Sequence, residues 1–139
     1  MPLALNWAMV PMTGWGTFGE NLVKQLLKSQ KLYPVIAHEQ SFWQEISVLK
    51  ALKDEQAELP GWFQQNSRYP DVKTKFPILH ATSGSTFKRG NAANSVWGSK
   101  NVAITFFESV VLEPEAIKAA RTYDLILTGS ECELILTVN

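Results

Sequence analysis

Leu3 to Gly19, LALNWAMVPMTGWGTFG, is the stretch whose reading decides the fold class. Leu3 to Val10 is mostly apolar with no polar alternation, the pattern of a strand buried on both faces. Pro11-Met12-Thr13 stops that run, and three glycines follow at Gly14-x-Gly16-x-x-Gly19. Beyond them Thr17 and Glu20 have capping-box spacing, and Phe18, Leu22, Val23, Leu26 and Leu27 recur at helical intervals. A buried strand, a glycine-rich turn and an amphipathic helix make one βα unit.

The alternation continues along the chain. Strands are predicted at 32–38, 76–81, 102–107 and 124–128, where LYPVIAH, FPILHA, VAITFF and DLILT stand. Ser41 and Gln44 form a second capping box, with Phe42, Ile46, Leu49 and Leu52 along one helix face. Residues 58–75 are polar and turn-rich and read as loop or short helix, as do 83–99 with their three Gly and four Ser. Glu113-Pro114-Glu115 opens a helix, with Pro at its first position and acids toward the positive end of the dipole. Apolar strands alternating with amphipathic helices predict an α/β fold: a Rossmann-like three-layer sandwich on a largely parallel sheet of about five or more strands. Ligands on such sheets bind beyond the carboxyl ends of the strands. Those ends fall at 11–19, 38–40, 80–84, 107–109 and 129–131.

Composition bounds the function. The chain has 139 residues, 45% of them hydrophobic, and 13 basic residues balance 13 acidic ones. A neutral chain lacks the basic excess that nucleic-acid binding draws on. Charge is uneven locally: Arg68, Lys73, Lys75, Lys88, Arg89 and Lys100 face only Asp71 across that stretch. Cys132 is the only cysteine, so neither an internal disulfide nor a cysteine zinc cluster is available. No apolar run approaches the roughly 18 residues of a membrane span, and no secretory leader opens the chain. The expectation is a soluble, cytoplasmic domain without a metal.

The chemistry-bearing residues lie at the strand ends. Gly14, Gly16 and Gly19 let backbone approach a ligand, and a helix N-terminus offers free N–H groups to an anion. Glu39, twenty residues past Gly19, stands where a nicotinamide-binding fold keeps its ribose acid. Against that, Pro11-Met12-Thr13 separates the strand from the first glycine, and Trp15 and Phe18 crowd the pyrophosphate path. The same glycines also suit a tight turn and close helix packing. His80 either bonds a polar ligand or satisfies a carbonyl, and Glu108 either caps a helix or serves a site. Gly129-Ser130-Glu131 closes the last strand. Trp15 is the tryptophan placed to stack on a ligand ring. Neither a G-x-S-x-G elbow nor a P-loop is present.

Taken in order, these strand ends resemble the N-terminal domain of GT-B-fold glycosyltransferases of the family 4 type. Asn6-Trp7 to Gly19 is similar to the family's first strand and glycine-rich loop. Pro77-Ile78-Leu79-His80-Ala81 is similar to its strand ending in His-Ala-His, with Thr82 in place of the second His. Asn101 to Glu108 is similar to the strand ending in Thr-x-His-Asp, with Phe107-Glu108 for His-Asp, and Tyr123 to Glu131 to the last strand. The resemblance implies that residues 1–139 form the acceptor-side half of a retaining hexosyltransferase moving a sugar from a nucleotide diphosphate to a hydroxyl acceptor. It implies Glu108 and His80 as catalytic residues, and Gly14, Trp15, Gly16, Thr17, Ser130 and Glu131 as substrate-binding ones. It implies a nucleotide sugar as donor substrate and no separate cofactor or metal. The family's second, donor-binding domain has no counterpart in this sequence, so activity alone is not expected. Peripheral membrane contact and self-association through the open cleft face are compatible with it. The alternatives are an NAD(P)-binding oxidoreductase domain using the glycines and Glu39, or a non-catalytic interaction module.

Overall fold

The computed structural model describes residues 1–69, 71–84, 86–89, 96–106 and 112–129. Five strands lie in sequence between four helices: β1 (Pro2–Asn6), α1 (Gly14–Ser29), β2 (Tyr33–Ile36), α2 (Ser47–Gln56), α3 (Leu59–Asn66), β3 (Ile78–Ala81), β4 (Asn101–Thr105), α4 (Pro114–Ala120) and β5 (Leu125–Thr128). All strand pairs are parallel, in the order β2-β1-β3-β4-β5. The chain moves outward from β1 to β2, then returns past β1 to lay down β3. The gap between the carboxyl ends of β1 and β3 is therefore the switch point of the sheet, where doubly wound folds bind ligands.

Both faces of the sheet are largely buried from β1 to β4, which explains their mostly apolar runs, while Leu125 and Leu127 of the edge strand β5 are exposed among the described residues. On one face Leu5, Ile36, Leu79, Ala81 and Ile104 pack with Val23 and Leu26 of α1 and Val48, Leu49 and Leu52 of α2. On the other, Ala4, Val35, Ala37 and Ile78 pack with Phe63 of α3 and with Val96. The three-layer α/β expectation holds.

Several predicted boundaries move. The first strand ends at Asn6 rather than Val10, because past Asn6 the backbone is held by a side chain instead of a neighbouring strand. The buried Gln40 amide accepts from Met9 N (2.8 Å) through Oε1 and donates to Trp7 O (2.9 Å) and His38 O (3.0 Å) through Nε2. On the outer edge of β2 the Gln56 amide does the same, accepting from Ile36 N (2.8 Å) and donating to Pro34 O (2.9 Å). Helix α1 starts at Gly14, not after Thr17. Its N-cap is Thr13, whose Oγ1 accepts from Gly16 N at 3.0 Å and donates to Val10 O at 2.7 Å. Residues 41–46 form turns that bury Trp43 and Ile46, so α2 begins at Ser47 instead of the Ser41–Gln44 box. Residues 58–75, whose polar, turn-rich composition reads as loop or short helix, contain α3, opened by Pro60 in its first turn. Phe107 lies outside the described residues.

Two of the three glycines are explained by packing. A Cβ on Gly16 would lie 1.8 Å from Val10 O, and one on Gly19 would meet the Met9 side chain at 2.8 Å and Trp7 Nε1 at 3.0 Å. A Cβ on Gly14 would meet nothing within 4 Å. Gly14→Ala is therefore expected to leave stability unchanged or raise it by up to ~1 kcal/mol, by removing backbone freedom from the unfolded chain. Gly16→Ala is expected to lower it by roughly 1–3 kcal/mol, toward the upper end because the obstructing atom is a backbone carbonyl. Urea denaturation of the two variants checks the contrast, and equal midpoints would remove the packing explanation.

Candidate functional site

The carboxyl end of β1 rises into the segment 7–13, which turns over and becomes the first turn of α1. Val10 O sits at the centre of this turn, accepting from Thr13 N (3.3 Å) and Thr13 Oγ1. Met12 adopts a left-handed conformation (φ 64°) and is fully exposed at the tip. For a residue with a Cβ that geometry costs on the order of 1 kcal/mol, and the surrounding bonds hold it in place.

The helix start disposes of its own N–H groups in a definite way. Gly16 N is taken by the Thr13 hydroxyl, and Thr17 N donates to Thr13 O at 2.9 Å. Gly14 N and Trp15 N have no acceptor among the described residues. The resemblance implies Gly14, Trp15, Gly16 and Thr17 as substrate-binding residues, with the helix N-terminus facing an anion. The geometry leaves Gly14 and Trp15 for that role, and Gly14 is itself exposed.

Beside these amides lies an aromatic cluster. Trp15 contacts Trp7 (5.9 Å between ring centroids), Phe18 (6.1 Å) and Phe106 (5.1 Å), and Phe106 also contacts Phe18 at 5.7 Å. Trp7 Nε1 donates to Trp15 O at 3.2 Å, locking the first turn to the strand beneath it. Phe106 follows directly on β4 and stays 41% exposed. The cluster thus joins the α1 N-terminus to the end of β4 and presents a partly open apolar surface next to two unpaired amides.

His80 belongs to a different neighbourhood. Its strand parity is that of Ile78, on the sheet face opposite α1, and it is fully buried. Gly98 N donates to Asn101 Oδ1 at 2.8 Å, which fixes that atom as an acceptor. His80 Nε2–H therefore donates to it at 3.1 Å, and Nδ1 accepts from Asn6 Nδ2 at 3.0 Å. Both ring nitrogens are committed, and Trp97 and Tyr123 flank the ring at 5.8 and 5.9 Å. Burial, with the Arg89 charge adding to it, drives the His80 pKa down to about 3. As placed, His80 is a neutral strut between β1 and β4 and does not meet Trp15. Glu108, Ser130 and Glu131 lie outside the described residues.

Asn6 and Gln40 organise this end of the sheet, Asn101 at the amino end of β4 braces His80 from the other side, and sequence reading assigned a role to none of the three. Asn6 carried a signal, as the one polar residue between Leu3 and Val10. Gln40 and Asn101 carried none. The exposed Glu39 follows directly on the His38 carbonyl that Gln40 holds, beyond the end of β2. No three His, Cys, Asp or Glu come together to hold a metal among the described residues, and none of their helices is long and apolar enough to cross a membrane. No family model, no curated protein and no solved structure matches this chain.

The His80 arrangement has a pH signature. A free histidine titrates near 6.5, whereas folded His80 does so at about 3. Between these values the unfolded chain binds a proton that the folded one does not. This contribution is complete above about pH 6.5 and drains away as pH falls, at about 1.4 kcal/mol per pH unit. Hydrogen bonding from Asn101 N lowers the Asp124 carboxyl below its ordinary 3.8, so Asp124 affects stability only below about pH 4. Urea melts between pH 6.5 and 4.5 are expected to show one proton's worth of acid destabilisation that disappears in His80→Gln. An unchanged slope in that variant would mean that His80 is not held neutral.

Proposed function

We propose that the chain is the acceptor-side domain of a glycosyltransferase that moves a sugar from a nucleotide diphosphate to a hydroxyl acceptor. The observation that carries this reading is the β1–α1 junction. Two unpaired amides, Gly14 N and Trp15 N, open at the switch-point end of a parallel sheet, beside the partly exposed Trp15–Phe106 surface. The ordered resemblance at the strand ends supports the same reading. A departing nucleotide diphosphate gains charge as the glycosidic bond breaks, and fixed N–H dipoles at a helix start stabilise that charge without reorganising. A sugar ring lies against an aromatic face through its C–H groups while its hydroxyls bond polar neighbours. Trp15 and Phe106 suit that role for the acceptor. Gly16 and Thr17 act through the helix they build, Gly16 by close packing and Thr17 by its bond to Thr13 O. His80 positions Asn6 at the end of β1, and Glu108, Ser130 and Glu131 are the polar residues that the resemblance assigns to substrate. The donor's remaining contacts would come from a second domain closing over the cleft.

One observation favours a nicotinamide cofactor: Glu39 is exposed just beyond β2, where such folds hold a ribose. Against it, the glycines lie inside α1, and Gly16 and Gly19 are pressed against segment 7–10 where a pyrophosphate would run. Thermal unfolding of the chain with UDP-, GDP- and ADP-sugars and with NADH separates the two. Stabilisation by a nucleotide sugar, reduced in Trp15→Ala and retained in Glu39→Ala, is expected. Stabilisation by NADH alone, lost in Glu39→Ala, would replace this reading with the dehydrogenase one.

A further inference from the structure

A second site lies at the opposite end of the sheet, and its case does not depend on the function proposed above. At the amino ends of β4 and β5 a cavity of about 510 Å³ is lined by Lys73, Trp97, Gly98, Ser99, Asn101, Thr122 and Asp124. Small-molecule sites usually fall between roughly 300 and 1,000 Å³.

Its walls are built rigidly. The Arg89 guanidinium centre lies 4.1 Å from the centroid of the Trp97 ring, and Tyr123 and His80 each flank it at 5.8 Å. Thr74 N donates to Trp97 O at 2.9 Å. Gly98 leaves no room for a side chain, since a Cβ there would stand 2.7 Å from Phe76 O. Asn101 is spent on the scaffold: Oδ1 accepts from Gly98 N and His80, and Nδ2 donates to Gly98 O at 3.1 Å. The tryptophan is thus held in place by Arg89, Tyr123 and His80 around its ring and by Thr74 at its carbonyl.

What remains for a ligand has a consistent chemistry. Lys73 makes no ion pair among the described residues. The Ser99 hydroxyl is uncommitted there, while the Thr122 hydroxyl donates to Ala119 O and keeps its lone pairs for accepting. Asp124 takes Asn101 N on Oδ2 (2.7 Å) and meets Lys100 from Oδ1 only at 3.6 Å, so it can accept a ligand hydroxyl. Lys100 stands beside Asp124 outside the lining, which leaves the Lys73 ammonium as the cation of the cavity wall for an anion. Phosphate is a poor match. Tight phosphate sites add forked Arg groups or clustered amides to a lysine, and the wall amides of Gly98 and Ser99 already donate to Asn101 Oδ1 and Phe76 O. An aromatic surface, a hydroxyl acceptor and a single lysine at the rim instead describe a pyranose carrying a carboxylate.

We infer that this cavity binds an acidic sugar of the hexuronate class, with the pyranose against Trp97, its hydroxyls on Asp124 and Ser99, and its carboxylate on Lys73. The test titrates the intact chain with methyl glucuronide, methyl glucoside and glucose 6-phosphate, following the Trp97 indole N–H by NMR. The glucuronide is expected to shift that resonance saturably and to bind about tenfold more tightly than the glucoside. Lys73→Gln, a change at an exposed side chain, is expected to abolish this preference while leaving the thermal midpoint unchanged. The inference is overturned if the Trp97 resonance does not move, if glucoside or glucose 6-phosphate binds as well as glucuronide, or if Lys73→Gln retains the preference.

Discussion

The contact between the backbone of Gly16 and the carbonyl of Val10 sets the geometry of the whole carboxyl end of the sheet. For α1 to sit this close to the segment that feeds it, position 16 must lack a side chain, and segment 7–10 must be fixed. Past Asn6 the Gln40 amide supplies the bonds that a strand neighbour would, reaching Trp7, Met9 and His38 at once. One buried amide therefore joins the ends of β1 and β2 and carries the start of α1. A half-satisfied amide in that position would leave several buried backbone groups without partners, each a loss of about 1–3 kcal/mol. This is why the junction behaves as a rigid rim and why Met12 can be held in a left-handed conformation at its tip.

That constraint reassigns the glycine motif. The spacing Gly14-x-Gly16-x-x-Gly19 suggests a phosphate-cradling loop, yet all three residues are helical, and two serve close packing. Only Gly14 is free of packing duty. The Thr13 cap then decides which amides face outward, because it uses Gly16 N and leaves Gly14 N and Trp15 N. Binding potential at this edge comes from the turn as a unit, with Trp7, Trp15, Phe18 and Phe106 closing its flank.

The strand–helix alternation was legible in the sequence because a parallel sheet covered on both faces imposes predominantly apolar runs, in which ILHA and NVAIT carry only His80, Asn101 and Thr105 as polar residues. Boundaries were less so. The Thr17–Glu20 spacing is a sound local cap signal, but Thr13 gains a second bond to Val10 O that exists only once the chain has turned over. Strand ends were over-extended for the same reason: Trp7 to Val10 is as apolar as a strand, and a glutamine thirty-one residues from Met9 takes its place in the ladder. His80 stood out as a polar residue at a strand end. Its two partners lie seventy-four and twenty-one residues away, so whether it faced a ligand or the interior was a tertiary question. The cavity at Trp97 was foreshadowed only by the basic stretch from Arg68 to Lys100, of which Lys73, Arg89 and Lys100 come to the cavity or to the residues that build it.

The two ends of the sheet thus differ in kind: a rim of amides and aromatic rings at the carboxyl end, and a lysine-edged cavity at the amino end. The first, organised by the β1–α1 turn, is the edge proposed to meet a nucleotide sugar. A ¹⁵N-resolved NMR titration of the chain with a nucleotide sugar tests it most directly. The account predicts that the Gly14 and Trp15 amides and the Trp15 indole shift together, while Gly16 N, already bonded to Thr13, moves little. Shifts centred on Glu39 and His38, or none at the start of α1, would contradict it.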